Sequence, residues 1–381
     1  LRTKHKQPKV ALVHDWLVGE GGGEQVLKCF HEIWPDAPIY TLVFNEEKAP
    51  SWTHGIDIRT TYIQHWPGGK THHKLLLSFM PKAWEALDLT EYDLVVSSCA
   101  GCCKGIITRP DAIHVCYCHS PIRYVWDLYY DYLDGASAIK RAFMPSMIHS
   151  VRMWDFQAAQ RVDSFISNSD YVGKRISKFY RRKSTTIHPG ISLPEGKVSE
   201  ERGEYYFVLS RFVSYKRIDI AIEACNKMGR RLIVAGSGGE EEEKLRAMAG
   251  PNVEFVGRVS DEQLIDYYSH AKAFLFPGIE DFGLTPLEAM AGGTPVLAYG
   301  EGGALETVVD GETGLFFFEQ SADALKECIE KFESLSFSAA TCRARAEQFS
   351  RERFKKEITD FCNSMLKESR ESFDRKPPTQ C

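Results

Sequence analysis

Short apolar runs alternate with amphipathic stretches along most of the chain. Residues 9–15, 93–98, 113–118 and 164–167 are apolar or β-branched, few in number and bounded by polar turns, so they predict buried strands. Residues 24–31, 147–161 and 172–179 carry apolar side chains at helical spacing. Alternation of this kind predicts a parallel sheet covered by helices on both faces.

The pattern breaks at Pro189-Gly190 and through residues 193–204, a polar stretch with Pro, Gly and several charges. It then resumes. Strands are predicted at 205–209, 231–235, 253–256, 273–276, 296–299 and 315–317, with helices at 218–228, 241–248 and 261–271 between them. From residue 322 the chain reads as helical, and the tail 374–381 as loose. The predicted division is a first α/β domain over 1–192, a linker over 193–204, a second α/β domain over 205–355, and a terminal helix with tail over 356–381. Ligands of doubly wound sheets bind beyond the carboxyl ends of the strands. Two such domains facing each other would put the site in the cleft between them.

The most informative run is FPGIEDFGLTPLEAMAGGTPVLA, residues 276–298. An apolar strand leads into a polar turn, and a helix is predicted to start near Thr285-Pro286, where proline has no N–H to lose. Free amides around Gly283, Leu284 and Thr285 at that helix start attract an anion, and Phe282 beside them is a further donor-binding candidate. Glu280 stands on the lip of the turn, and Glu288 is expected to face the same crevice from the first helical turn. Amides suit phosphate and carboxylates suit hydroxyls, so together they describe a nucleotide-sugar site.

Upstream, Arg211 follows the strand 205–209, and Lys216 lies five residues further on. Arginine grips phosphate through a planar fork, and lysine adds a point charge. Gly21, Gly22 and Gly23 follow the first strand and let backbone approach a ligand closely. Their spacing is not that of a Rossmann dinucleotide loop. His119 ends the strand 113–118, a place that points into a cleft; Asp15 and Arg123 are weaker candidates on the same side. Gly236 closes a strand in Gly-Ser-Gly, and Arg258-Val259 follow another.

The run with E-x7-E and P-L-E-A-M-A-x-G-x-P-V resembles the retaining glycosyltransferases of the glycogen-synthase-like superfamily, the glycosyl transferases group 1. Arg211 and Lys216 resemble that family's G-R-L-x-x-x-K-G, with Ser210 and Arg217 in place of its two glycines. The resemblance implies a GT-B fold, two doubly wound Rossmann-like domains whose last helix crosses toward the first domain. It implies a nucleoside diphosphate sugar as donor, with Glu288 on the ribose and Glu280 on the hexose. Arg211 and Lys216 would neutralise the leaving phosphate, and the loop of Gly21 to Gly23 would lie over the diphosphate. His119 would lie near the reacting sugar, and Gly236, Arg258 and Val259 near the nucleotide. H-D-W-L-x-G-x-G-G-x-E, beginning at His14, and I-S-N-S-x-x-V-x-x-R-I, beginning at Ile166, resemble bacterial mannosyltransferases of O-antigen or exopolysaccharide synthesis. GDP-mannose is then the expected donor, with UDP-glucose and UDP-galactose as alternatives. A non-catalytic sugar-nucleotide-binding protein would need a broken constellation, and a phosphorylase of related fold a longer chain.

Composition narrows the rest. With 47 basic and 52 acidic residues, net charge −5 and pI near 6.2, the chain carries no nucleic-acid footprint. No run of apolar residues is long enough to span a bilayer, and the N-terminal LRTKHKQPK is not read as a signal peptide. Eleven scattered cysteines fit reduced thiols. The expectation is a cytoplasmic protein, or one on the cytosolic face of a membrane. Cys99, Cys102, Cys103, Cys116, Cys118 and His119 read as small residues beside a cleft, not as zinc ligands. No D-x-D or similar cluster announces a metal, so none is expected to be essential. Residues 70–82, KTHHKLLLSFMPK, mix cations with large apolar side chains ahead of a helix at 83–87. Lys140-Arg141 with Phe143-Met144 and Met147 form a second such patch. Both suit peripheral contact with a membrane carrying a lipid-linked glycan acceptor.

Overall fold

The structure, a computed structural model, describes residues 7–130, 138–196, 198 and 200–374. The side chains of Lys140 and Phe143 and the tail beyond residue 374 lie outside the described residues. The chain forms two compact units, Leu1–His188 with Lys355–Cys381, and Pro189–Phe354. The unit boundary thus falls within the helix Arg351–Asp374.

The first unit is built on a seven-stranded sheet: β1 Val10–His14, β2 Ile39–Thr41, β3 Ile58–Thr60, β4 Leu94–Cys99, β5 Ile113–Cys118, β6 Ser164–Ser167 and β7 Ser184–Thr186, in the order β3-β2-β1-β4-β5-β6-β7. Every pairing is parallel. The order reverses between β1 and β4. Their register sets His14 opposite Ser98 at the carboxyl ends. The second unit carries a six-stranded parallel sheet: β8 Tyr205–Leu209, β9 Arg231–Ala235, β10 Val253–Gly257, β11 Ala273–Phe276, β12 Val296–Tyr299 and β13 Gly314–Phe317, in the order β10-β9-β8-β11-β12-β13. Here the order reverses between β8 and β11.

Strands covered on both faces need apolar side chains on both. In the second unit the alternation divides cleanly. Tyr206, Val208, Leu232, Val234, Leu275 and Leu297 pack into one cluster, and Phe207, Ile233, Phe274, Phe276, Val296 and Ala298 into the opposite one. The long runs read as strands from sequence appear as strands, with ends shifted by a residue or two. Strands β2, β3 and β7 escaped that reading. Each is three residues long, and β3 and β7, the two edges, are only half-buried, so no apolar run marks them. The helix expected at 147–161 begins earlier, at Ala138, with Pro145 inside it. The helix expected at 83–87 is instead Met80–Glu85, and the terminal helical region divides into Ala322–Glu333, Ala339–Glu347 and Arg351–Asp374.

A buried ion pair anchors the loop after β4. Lys104, 1% exposed, pairs with fully buried Asp155 on the helix Ala138–Arg161. Asp155 Oδ2 accepts from Trp126 Nε1 and Tyr180 Oη, both at 2.8 Å, and Lys104 Nζ donates to the Gly101 carbonyl at 3.0 Å. Removing one partner of such a pair leaves a buried charge uncompensated. Asp155→Ala is therefore expected to cost about 3–5 kcal/mol, read as a lower urea midpoint for the first unit. A midpoint unchanged from wild type would show that the pair contributes nothing.

Candidate functional site

In the second unit, the candidate residues gather where the sheet order reverses. Leu209 and Ser210 at the end of β8, and Phe276, Pro277 and Gly278 at the end of β11, line one pocket together with Lys216 and Glu280. Lys216 Nζ and Glu280 Oε1 form a direct ion pair, their side chains only 18% and 17% exposed. Gly278 explains how the loops come so close. A Cβ there would lie 2.8 Å from Lys216 Cα and from the Tyr215 carbonyl. The loop after β12 closes in the same way: Gly303 N donates to the Glu280 carbonyl at 2.9 Å, and a Cβ on Gly303 would lie 2.2 Å from Phe282 Cα.

The motif helix is Leu284–Ala291, beginning one residue earlier than expected. Its N-cap is Gly283, at φ 86°, a conformation that L side chains adopt only with strain. No side chain caps this end, so the amides of Leu284 and Thr285 are not claimed by a capping group. Pro286 is the third helical residue, and Glu288 the fifth, in the second turn instead of the first. Glu288 Oε2 accepts from Tyr268 Oη at 3.1 Å, and burial pushes its carboxyl above the usual range. Phe282 corrects its expectation. Its side chain is 3% exposed and packs on Phe349, so only its backbone belongs to the turn. Arg211 is exposed just past β8. Gly236 lies against the Ser210 carbonyl, where a Cβ would come within 1.9 Å. Its N–H donates to the Gly257 carbonyl at 2.8 Å, immediately before exposed Arg258 and half-buried Val259.

In the first unit, His14, Glu24, Ser98 and His119 converge beyond β1, β4 and β5. His119 Nε2 lies 2.7 Å from Ser98 Oγ, and Ser98 Oγ lies 3.1 Å from His14 Nδ1. His14 Nε2 stands 3.6 Å from Glu24 Oε1. Burial alone would lower the His14 pKa, but the Glu24 carboxylate outweighs it and the net shift is upward. Glu24 shifts downward: burial raises it, and its bond and attraction to His14 lower it further. Gly21 and Gly22 are exposed, and Gly23 faces the two rings, its Cβ position 3.5 Å from His14 Cε1 and 3.8 Å from His119 Nε2. Arg123 is half-buried.

Asp15 also corrects its expectation. It is 4% exposed, and its carboxylate accepts from the amides of Ala100 and Gly101, both at 2.7 Å, and of Cys103 at 2.8 Å. It clamps the loop after β4 and is not presented to a ligand. Burial pushes its pKa up to about 6. Asp15, Cys99 and Cys103 lie within 4.8 Å of one another at their donor atoms. Each is already satisfied: Cys99 Sγ donates to the Gly101 carbonyl and Cys103 Sγ to that of Ser98, at 3.3 and 3.4 Å. The ten described cysteines are all buried thiols.

Ser98, Tyr268, Gly278 and Gly303 were not singled out by sequence. Each acts through a neighbour fixed only by strand order, which no local pattern states. Gly303→Ala is expected to lower the melting temperature by several degrees, because backbone on both sides leaves no room for a methyl group. An unchanged melting curve would show that the contact with Phe282 is slack.

Residues 192–349 match the family described as glycosyl transferases group 1, and residues 21–194 match Glycosyltransferase Family 4. A D-inositol 3-phosphate glycosyltransferase of Nocardioides sp. is 27% identical over 259 residues, 57% of each chain. The capsular polysaccharide biosynthesis glycosyltransferase CapM of Staphylococcus aureus is 36% identical over 136 residues, 34% of this chain and 35% of its own. The chain spans about half the length, or less, of the curated relatives it matches. Among solved structures, the Anabaena protein HepE in complex with UDP-glucose aligns with TM-score 0.70 at 18% identity, covering 93% of this chain and 99% of its own. That likeness identifies the two-domain GT-B fold.

Proposed function

We propose that this chain, which belongs to the glycosyl transferases group 1 family, transfers a hexose from a nucleoside diphosphate sugar to an acceptor hydroxyl. The observation that carries this reading is the Lys216–Glu280 pair at the β8/β11 reversal, beside the uncapped start of the helix Leu284–Ala291. A cation, helix amides and two carboxylates within one unit fit diphosphate on one side and hydroxyls on the other.

In the proposed reaction the bond from the anomeric carbon to the diphosphate oxygen breaks, and a bond from that carbon to the acceptor oxygen forms. The acceptor proton passes to the departing phosphate. Arg211, Lys216 and the amides of Gly283, Leu284 and Thr285 stabilise the charge gathering on the diphosphate, a role that does not call for an essential metal. Glu280 orients the hexose while holding Lys216. Glu288, steadied by Tyr268, accepts from the ribose hydroxyls. Gly236, Arg258 and Val259 border the nucleotide. Retention of anomeric configuration is proposed from the family pattern. GDP-mannose is proposed as donor on the strength of the strings beginning at His14 and Ile166.

Nucleotide release from a panel of GDP- and UDP-sugars tests the donor. Fastest release from GDP-mannose is expected; preference for UDP-glucose or UDP-galactose would replace mannose, and no release from any donor would remove the transferase reading. Glu288→Ala should raise the donor dissociation constant. Glu280→Ala, Arg211→Ala and Lys216→Ala should each cost at least about tenfold in turnover. Loss of activity in EDTA, restored by Mg²⁺, would overturn the metal-independent mechanism.

We also propose that the acceptor is a lipid-linked glycan met at a membrane surface. The contact proposed is peripheral; no helix among the described residues is long and apolar enough to cross a bilayer. Support comes from the segment around residues 62–82. Leu75, Phe79 and Tyr62 are 75%, 46% and 39% exposed, and Trp66 touches both Tyr62 and Phe79. Lys70, Lys74 and Lys82 are exposed beside them. Apolar rings among cations suit an anionic interface. Sedimentation with anionic vesicles but not neutral ones is expected, weakened by salt. Equal, negligible sedimentation with both at low salt would leave a water-soluble acceptor.

A further inference from the structure

Arg217 sits at a joint that its own backbone resists. It closes the short 3₁₀ turn Ser214–Lys216 and opens the helix Ile218–Met228, at φ 51° and ψ 39°. That is the left-handed region, which glycine enters freely and a residue with a side chain enters at a cost. Among the described residues, Arg181 is the other non-glycine residue with positive φ. The family pattern has glycine after the lysine, and this chain carries arginine there. Such strain persists only where the surroundings over-determine the residue. For Arg217 the determining surroundings are the partners of its side chain.

Those partners form a closed circuit. Arg217 Nε donates to both Asp219 carboxylate oxygens, at 3.1 and 3.2 Å, and Nη2 to Asp219 Oδ2 at 3.0 Å. This grip lies in the first turn of the following helix and sets the plane of the guanidinium. Nη1 then donates to Gln320 Oε1 at 3.1 Å, in the stretch that follows β13. Gln320 Nε2 donates in turn to the Pro277 carbonyl at 3.0 Å, past the end of β11. The middle link needs an acceptor and a donor together, because a guanidinium only donates and a proline carbonyl only accepts. The glutamine amide supplies one of each. Gly278 follows Pro277, and its backbone lies against that of Lys216, the residue before Arg217. The circuit thus returns to its start, and Lys216, Pro277, Gly278 and Glu280 all line one pocket.

We propose that Arg217 and Gln320 are positioning residues, a clasp that ties the loop after β8 to the loop after β11 and so holds Lys216 in place beside Glu280. The left-handed joint lets two consecutive cations serve different targets, Lys216 the pocket and Arg217 the frame around it. The clasp stands on geometry; its bearing on turnover rests on the transfer proposed above.

Two measurements on the full chain test it. The first needs no donor: the rate at which acetic anhydride acetylates Lys216, read by mass spectrometry against exposed Lys48. Arg217→Gly relieves the backbone and removes the clasp. Gln320→Glu keeps the side-chain size and the bond to Arg217, but sets a carboxylate against the Pro277 carbonyl and so breaks one link alone. Each should speed Lys216 acetylation at least about threefold, and the double variant should be no faster than either, because one break opens the circuit. Wild-type acetylation in both folded variants would overturn the clasp. Faster acetylation with Arg217→Gly but not Gln320→Glu would overturn it too, since Arg217 would then act through Asp219 alone. The second measurement is nucleotide release from the donor that the wild type turns over fastest. In each variant kcat should fall about tenfold while KM moves less than about threefold. A wild-type kcat in a variant whose Lys216 acetylates faster would overturn the positioning role. Faster acetylation in both variants of a protein that releases nucleotide from no donor would uphold the clasp and remove the transferase reading alone.

Discussion

Parallel pairing is the constraint on which both units depend. When all strands of a sheet run one way, each connection must cross a face and return, and every carboxyl end points to the same edge. At the place where strand order reverses, neighbouring connections leave to opposite faces and a crevice opens between them. Both units have one reversal, β1 beside β4 and β8 beside β11. The His14–Ser98–His119 chain grows out of the first, and the Lys216–Glu280 pair out of the second. Neither cluster needs a dedicated scaffold, because the sheet delivers its members to one edge.

The two lysine–carboxylate pairs show how burial divides support from chemistry. Lys104 and Asp155 are sealed off, and every remaining polar atom of the pair points at a fixed partner, as an ion pair without water requires. The pair holds the loop after β4 in one arrangement. Lys216 and Glu280 are each still about one-sixth open. The same charges thus sit in different settings: one pair is sealed inside the first unit, while the other lines a pocket in the second.

The alternation of apolar runs made the layered α/β plan legible, and the long central strands could be placed almost to the residue. The edge strands β3 and β7 could not, because three half-buried residues carry no periodicity. The glutamates, the arginine and the lysine were legible through motif spacing. Their partners were not. Tyr268 reaches Glu288 from 20 residues away, and Ser98 meets His14 across 84. Such meetings are set by strand order, and many orders suit one alternating pattern. Asp15 misled for a related reason. A carboxylate after a strand looks available until the loop of a neighbouring strand is seen to wrap it.

That wrapping has a consequence for the loop itself. Residues 100–103 turn successive amides inward, a concavity that commonly receives phosphate. Here it has already received Asp15, held by contacts from three of its residues. The seat is filled by a covalently attached tenant that cannot diffuse away. Those three donors are engaged, so this concavity has no seat left for a second anion. Prior occupancy therefore acts as a lock: the loop after β4 keeps its shape without help from any visitor.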